Sequence, residues 1–269
     1  MSEQELPHPQ PLSKRKLAEY RKLKLRKYRQ KSNFVLLEGR KILLEFLQNN
    51  NRINTFLFSA AAWAKLGWVE QKAIFKSSYL LNPQQVAALS DLKNPDGFFF
   101  LLDKRQYQLG KTVEQITDGA WFFLDRLQDP GNLGTIVRLA AAFSFKGVLS
   151  TEGTIDLFHP KVLRAASGSF HYLKYCSTCS YEDLPIFLAN GFKIVAGSPG
   201  MGTTIDEYQF TARQIIILGN EGRGVAKNLD IQYLRIPHSK KVDSLNVGIA
   251  AGIMAQKYFL DVWGTKPDA

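Results

Sequence analysis

The stretch Ala120-Trp-Phe-Phe-Leu-Asp-Arg-Leu-Gln-Asp-Pro-Gly-Asn-Leu-Gly-Thr-Ile-Val-Arg138 decides the fold. Trp121 to Leu124 is an apolar run of strand length that ends at the acid Asp125. Pro130-Gly131 marks a turn, and beyond it Leu133, Ile136, Val137, Ala140 and Ala141 recur at helical spacing. Asn132 is placed as the N-cap of this helix, which is expected to run to Phe143. A strand that passes through a tight turn into a helix is the repeating unit of parallel, doubly covered sheets.

Downstream the unit repeats. Gly147–Ser150, Phe192–Ala196, Gln214–Leu218 and Tyr233–Ile236 read as strands; Pro160–Ser167, Tyr181–Asn190 and Ser244–Val262 read as helices. The strands are apolar throughout rather than alternating, which predicts an α/β domain with a mostly parallel sheet covered on both faces. Upstream the pattern is shorter. Phe34–Leu37, Ile53–Phe58 and Phe98–Asp103 read as strands and Gly39–Gln48 as a helix, with a turn at Asn94-Pro-Asp-Gly97. The segment from Lys104 to Gly119 is polar and reads as a linker. Residues 1–12, polar and with three prolines, read as a disordered lead rather than a signal peptide. The expected domains are thus 13–111, a small α/β unit carrying a basic helix, and 112–269.

Charge is unevenly spread. The net charge is +11, yet Lys14, Arg15, Lys16, Arg21, Lys22, Lys24, Arg26, Lys27, Arg29 and Lys31 face a single acid, Glu19, so this short segment holds ten cations against one anion. Leu17, Tyr20, Leu23 and Tyr28 form a thin apolar seam along it, too thin to insert into a membrane. A solvated helix face is the plain alternative; the density of one sign favours contact with a nucleic-acid phosphate backbone. No apolar run approaches the roughly 18 residues that span a bilayer. Two cysteines, Cys176 and Cys179, give no disulfide framework and suit a reducing, cytoplasmic setting. Lacking a second pair, they read as buried or edge-strand thiols rather than metal ligands.

Two further clusters follow strand ends, where open α/β sheets bind ligands. Leu218-Gly-Asn-Glu-Gly-Arg-Gly224 has glycines that let backbone approach a ligand, with Glu221 among them. Its spacing is not the dinucleotide fingerprint, which argues against a nucleotide-dependent oxidoreductase. Asp243-Ser-Leu-Asn-Val-Gly-Ile-Ala-Ala-Gly252 has Ser244 as a natural N-cap for the last helix and Asn246 in its first turn. Each cluster alone admits a purely structural reading.

Together, in order and spacing, the three clusters resemble the motifs of the SpoU-type RNA ribose 2′-O-methyltransferases (the TrmH-like enzymes of the SPOUT superfamily). The resemblance covers about Trp121 to Phe259, including His159–Gly168 and Phe192–Ser198. The first domain, with Phe34–Gly39, resembles the L30e-like RNA-binding domain that often precedes the catalytic one. The resemblance implies a deep trefoil knot, a homodimer, S-adenosylmethionine as cofactor and no metal. It also implies a cofactor site at Gly197, Ser198, Leu218, Gly219, Asn220, Glu221, Gly222, Ile236, Leu245 and Asn246. Asn132, Arg138, Glu221, Ser244 and Asn246 would be catalytic, and Arg138 would join the basic segment in binding RNA. Family mechanisms often make the equivalent of Arg138 a general base; because a guanidinium stays protonated near neutral pH, phosphate clamping is the easier role. The two-domain layout favours ribosomal over transfer RNA. A non-catalytic RNA-binding protein and a base methyltransferase are the rival readings. This chain departs from the pattern at Ser144, where glycine is usual, at His159, where asparagine is common, and at Gly248, where serine is common.

Overall fold

A computed structural model of the chain describes residues 9–49, 53–67, 70–71, 74, 77–109, 113–220, 222, 224–225 and 230–265. The chain divides into two units, Met1–Gln106 and Tyr107–Ala269.

The first unit runs β1 (Gln10–Pro11), α1 (Lys14–Lys22), α2 (Arg26–Lys31), β2 (Phe34–Glu38), α3 (Arg40–Gln48), β3 (Ile53–Ser59), α4 (Ala60–Trp63), β4 (Ser78–Leu81), α5 (Pro83–Leu89) and β5 (Phe98–Asp103). Its sheet has the order β1-β4-β3-β5-β2. β5 is antiparallel to both neighbours, β2 and β3, whereas β4 runs parallel to β3 and β1. The apolar run Phe98–Leu102 is buried throughout, as a central strand with both faces covered must be.

Three expectations for this unit are corrected. Gln10 and Pro11 are not a disordered lead: they pair in parallel with Tyr79 and Leu80, and Leu12 is buried. Proline is tolerated because β1 is an edge strand; residues 1–8 of the expected lead lie outside the described residues. The basic segment is two helices, not one, because Leu25 between them is extended. Arg29, expected on the cationic face, is buried and donates to the carbonyls of Leu23 (3.0 Å) and Lys24 (2.8 Å). It thereby satisfies backbone acceptors left free where α1 ends, and its own carbonyl accepts from the buried Lys104 ammonium at 2.7 Å.

The second unit runs β6 (Ala120–Leu124), α6 (Pro130–Ala142), β7 (Gly147–Thr151), α7 (Pro160–Ala165), β8 (Lys174–Cys179), α8 (Leu184–Ala189), β9 (Lys193–Gly197), β10 (Thr203–Thr204), β11 (Gln214–Leu218), β12 (Gln232–Arg235) and α9 (Val247–Trp263). Its sheet has the order β10-β12-β9-β11-β6-β7-β8, and every neighbouring pair is parallel. From β6 the chain builds outward to β7 and β8, then crosses to lay down β9 and β10 on the other side, after which β11 fills the place between β9 and β6 and β12 the place between β9 and β10. The order therefore reverses between β6 and β11, the crevice where such sheets bind ligands. The segment expected as a linker is anchored instead: Tyr107, Val113 and Ile116 are buried, the latter two in the core beneath Trp121 and Phe123. Cys176 and Cys179 lie buried on the edge strand β8 and face the same core. They share a face despite odd spacing because the β7–β8 register slips between Leu149 and Thr151.

Two of the departures from the family pattern have local causes. Ser144 follows the end of α6 with φ of 58°, the left-handed position where glycine is unstrained. His159 caps α7, its Nδ1 accepting from the Lys161 amide at 3.2 Å, the task that an asparagine side chain performs elsewhere.

Candidate active site

Parallel strands deliver their C-terminal ends to one edge. Gly197 ends β9 and pairs with Leu234 of β12; Leu218 ends β11 and pairs with Leu124 of β6. The loops leaving these strands are tied together. The Ser198 amide donates to the Leu234 carbonyl (2.8 Å) and the Asp125 amide to the Leu218 carbonyl (2.9 Å). The His238 ring Nδ1 donates to the Ile236 carbonyl at 2.7 Å, which makes it a turn residue. After β11 the chain folds back on itself: Gly224 donates to the Asn220 carbonyl (2.8 Å) and the Gly222 amide to the Asn220 side chain (2.9 Å). Gly219 makes this possible, because a Cβ there would lie 2.1 Å from the Gly224 carbonyl carbon. Glu221 lies outside the described residues.

The first and third sequence clusters meet. The Asn246 amide nitrogen donates to the Asn132 side-chain oxygen at 3.0 Å, across 114 residues of sequence. Neither asparagine has quite the place expected. Asp129 rather than Asn132 caps α6, accepting from the Asn132 amide at 2.7 Å; Asp129 followed by Pro130 was the readable signal. Asn246 rather than Ser244 caps α9, accepting from the amides of Gly248 and Ile249. Both side chains therefore stand at helix N-termini. The helices run side by side in the same direction, with Thr135 against Gly248, Leu139 against Gly252 and Phe143 against Phe259. A Cβ at Gly248 would approach Thr135 Cγ2 to 3.3 Å, so serine would crowd this crossing. Arg138 is exposed on α6, Ser244 is exposed and Leu245 half-buried.

One group escaped the sequence reading although its position was readable, as an acid that ends a wholly apolar strand. Asp125 is 1% exposed. Its carboxylate accepts from Arg126 Nε (2.9 Å) and Nη2 (2.8 Å), from Thr151 Oγ1 (3.2 Å) and from the Tyr181 hydroxyl (2.8 Å). The hydrogen bond to Asp125 holds the Arg126 guanidinium above its ordinary pKa. Arg126 has φ of 52°, and its carbonyl accepts from the Asn220 side chain at 2.8 Å. The loops after β6 and β11 are thus joined directly.

In the first unit Lys14, Arg15, Arg21, Lys22, Arg26, Lys27 and Lys31 are exposed. Lys24 is half-buried and pairs with Asp91 at 2.7 Å, and Lys16 is half-buried beside the ring and hydroxyl of Tyr79. These two and Arg29 are partly or wholly engaged within the protein; the other cations, Lys22 and Lys27 of them over the Tyr28 ring, form an exposed ridge.

The comparisons agree with this division. Residues 120–256 match the model of the SpoU rRNA methylase family, and residues 14–99 match that of the MRM3-like substrate binding domain. An uncharacterised tRNA/rRNA methyltransferase of Synechocystis is 32% identical over 249 residues, covering 90% of each chain. The 23S rRNA (guanosine(2553)-2′-O)-methyltransferase RlmP of Bacillus subtilis is 28% identical, covering 89% of this chain and 94% of its own. An AdoMet-bound rRNA methyltransferase from Sinorhizobium meliloti shares the fold, with a TM-score of 0.80 at 24% identity over 94% of this chain and 97% of its own. With three motifs gathered at one sheet edge and a family match across more than half its length, the chain belongs to the SpoU rRNA methylase family.

Proposed function

We propose that this protein transfers a methyl group from S-adenosylmethionine to a ribose 2′-hydroxyl of RNA, with ribosomal RNA as its substrate. The observation that carries the reading is the Asn132–Asn246 hydrogen bond, which brings two motifs of the family together at the N-termini of paired helices. RlmP, similar over nearly its whole length, is by name a ribose 2′-O-methyltransferase of 23S rRNA, and that supports both the acceptor atom and the class of RNA.

The residues present suit the cofactor. At Gly222 an added Cβ would meet only the Asn220 side chain at 3.5 Å, and at Gly200 nothing within 4 Å, so backbone is open to a ligand along this edge. Gly197, Ser198, Leu218, Gly219, Asn220, Gly222, Ile236, Leu245 and Asn246 would hold it, and the motif also supplies Glu221, which lies outside the described residues. When bound, S-adenosylmethionine supplies a sulfonium-activated methyl group. The protein then has to orient a ribose oxygen and assist the loss of its proton. Asn132 and Asn246, locked to each other, offer amide groups to the ribose, and Ser244 adds a hydroxyl. Arg138, exposed on the same helix as Asn132, clamps an RNA phosphate. The ridge from Lys14 to Lys31 binds the backbone without regard to sequence.

Incubation with total RNA and labelled cofactor, followed by nuclease mapping, tests the acceptor; label in a base instead of a ribose refutes the ribose assignment. Arg138→Lys separates the two roles of that side chain. A clamp predicts turnover within about threefold of wild type and RNA binding weakened roughly tenfold, because lysine keeps the charge but loses the bidentate fork. Loss of turnover at unchanged RNA affinity would establish the base instead.

We also read the protein as a homodimer with the family's knotted cofactor domain. Ile249, Leu260 and Trp263 lie along α9 at helical spacing and are 57%, 41% and 43% exposed, an apolar stripe suited to a second copy. Leu260→Asp combined with Trp263→Asp is expected to convert the sedimenting species at micromolar concentration from dimer to monomer. A wild-type monomer, or a dimer untouched by both changes, would refute this.

A further inference from the structure

We infer that Asp125 is a positioning residue, a buried carboxylate that fixes the loop after β11 through the backbone of Arg126. The inference rests on the reading of that loop as part of the S-adenosylmethionine site.

A carboxylate cut off from water is destabilising unless donors surround it. Asp125 has four, and they come from different places: two from Arg126 next in the chain, one from Thr151 at the end of β7, and one from Tyr181 beyond β8. Each donor holds the others, so the carboxylate is a fixed point at the edge of the sheet. The consequence falls on Arg126. Its side chain must fold straight back onto the residue before it, while its amide donates to Thr151 Oγ1 at 3.0 Å. Its backbone then adopts φ of 52°, a left-handed conformation that an arginine keeps only when its surroundings impose it.

That conformation presents the Arg126 carbonyl to the neighbouring loop, where the Asn220 side chain donates to it at 2.8 Å. Asn220 carries the rest: its side-chain oxygen accepts from the Gly222 amide and its carbonyl from the Gly224 amide. A continuous chain of hydrogen bonds thus runs from Tyr181 and Thr151, through Asp125 and the Arg126 backbone, to the turn at Asn220–Gly224. Asp125 touches none of the reacting groups. It sets where the turn stands.

The test uses the full chain and two independent readouts. In the cofactor-free protein, Asp125→Asn is expected to speed hydrogen exchange at the Gly222 and Gly224 amides, with Tyr181→Phe doing so more weakly. By calorimetry, Asp125→Asn should weaken S-adenosylmethionine binding about tenfold and Tyr181→Phe about threefold, with turnover at saturating cofactor nearly unchanged. Asn220→Ala should weaken binding by at least a similar factor, and the double variant Asp125→Asn/Asn220→Ala should bind no more weakly than Asn220→Ala alone, because the effect of Asp125 reaches the loop through the Asn220 side chain. Wild-type exchange rates in both Asp125→Asn and Tyr181→Phe, or effects of the Asp125 and Asn220 changes that multiply, overturn the inference. Should Asp125→Asn fail to fold, Tyr181→Phe alone decides by the same two readouts. If the wild-type chain does not bind S-adenosylmethionine, the functional reading falls, whereas the exchange experiment still decides the role of Asp125.

Discussion

Gly219→Ala is expected to lower the affinity for S-adenosylmethionine about 100-fold while leaving the parallel sheet folded. The alanine Cβ would stand 2.1 Å from the Gly224 carbonyl carbon, 2.3 Å from the Val225 amide nitrogen and 2.4 Å from the Gly224 oxygen. All three are backbone atoms, so no rotamer change relieves the clash. The returning strand of the loop has to move away, which breaks the Gly224–Asn220 hydrogen bond and displaces Gly222, whose amide is held by the same asparagine. Overpacking of this kind costs up to roughly 3 kcal/mol, and spent on a loop that must close around a ligand it lowers affinity by about 100-fold. The sheet is insulated because Gly219 follows β11 rather than lying within it. Calorimetric titration with the cofactor, alongside circular dichroism, makes the check; affinity within threefold of wild type would show that this loop is not the cradle.

The second large effect concerns stability. Gly134 lies on the face of α6 that meets α7, and a Cβ there would come within 2.3 Å of Ala165 Cβ and 2.9 Å of the Val162 carbonyl oxygen. Two terms oppose each other in Gly134→Ala. Alanine favours the helix by about 1 kcal/mol over glycine, but forcing two helices apart costs roughly 1–3 kcal/mol. Because the obstacles include the backbone of a neighbouring helix, the second term wins. The unit's melting temperature should fall by about 2–8 °C, and turnover should fall further still, since Asn132 stands on the first turn of the displaced helix. Gly252→Ala is the matched comparison. Its Cβ would meet Leu139 at an ordinary 3.5 Å, so only the favourable helical term applies and stability should hold or rise. Equal melting temperatures for the two variants would mean that α6 and α7 are not in close contact at Gly134.

Much of this could be read from the chain alone. The central strands were legible because full burial leaves no alternation: Phe98–Asp103 and Gln214–Leu218 are strands with the bounds read from the sequence. The glycines and asparagines of the three clusters were legible because few other residues tolerate such turns and caps. The shortest elements were not. β1, β4 and α5 were missed although Asn82 and Gln85 form a complete capping box with Pro83 opening the helix, because such short elements owe their existence to partners far away in sequence. The caps were displaced at both key helices, since Asp129 competes with Asn132, and Asn246 with Ser244, and sequence does not say which backbone turns first.

By itself, then, the sequence determined the class of fold, the family and the set of groups available for chemistry, since strand burial and loop chemistry are local properties of residue type. Tertiary structure alone decided which of those groups meet. Asn132 reaches Asn246 only because α6 and α9 run side by side. Arg29 is lost to the exposed cationic ridge only because the end of α1 needs its donors. Asp125 acquires its role only when Thr151, Tyr181 and Asn220 arrive from other loops. The physical reason is that hydrogen bonds and close contacts depend on positions in space to within a few tenths of an ångström, and spacing along a chain does not specify those across a hundred residues.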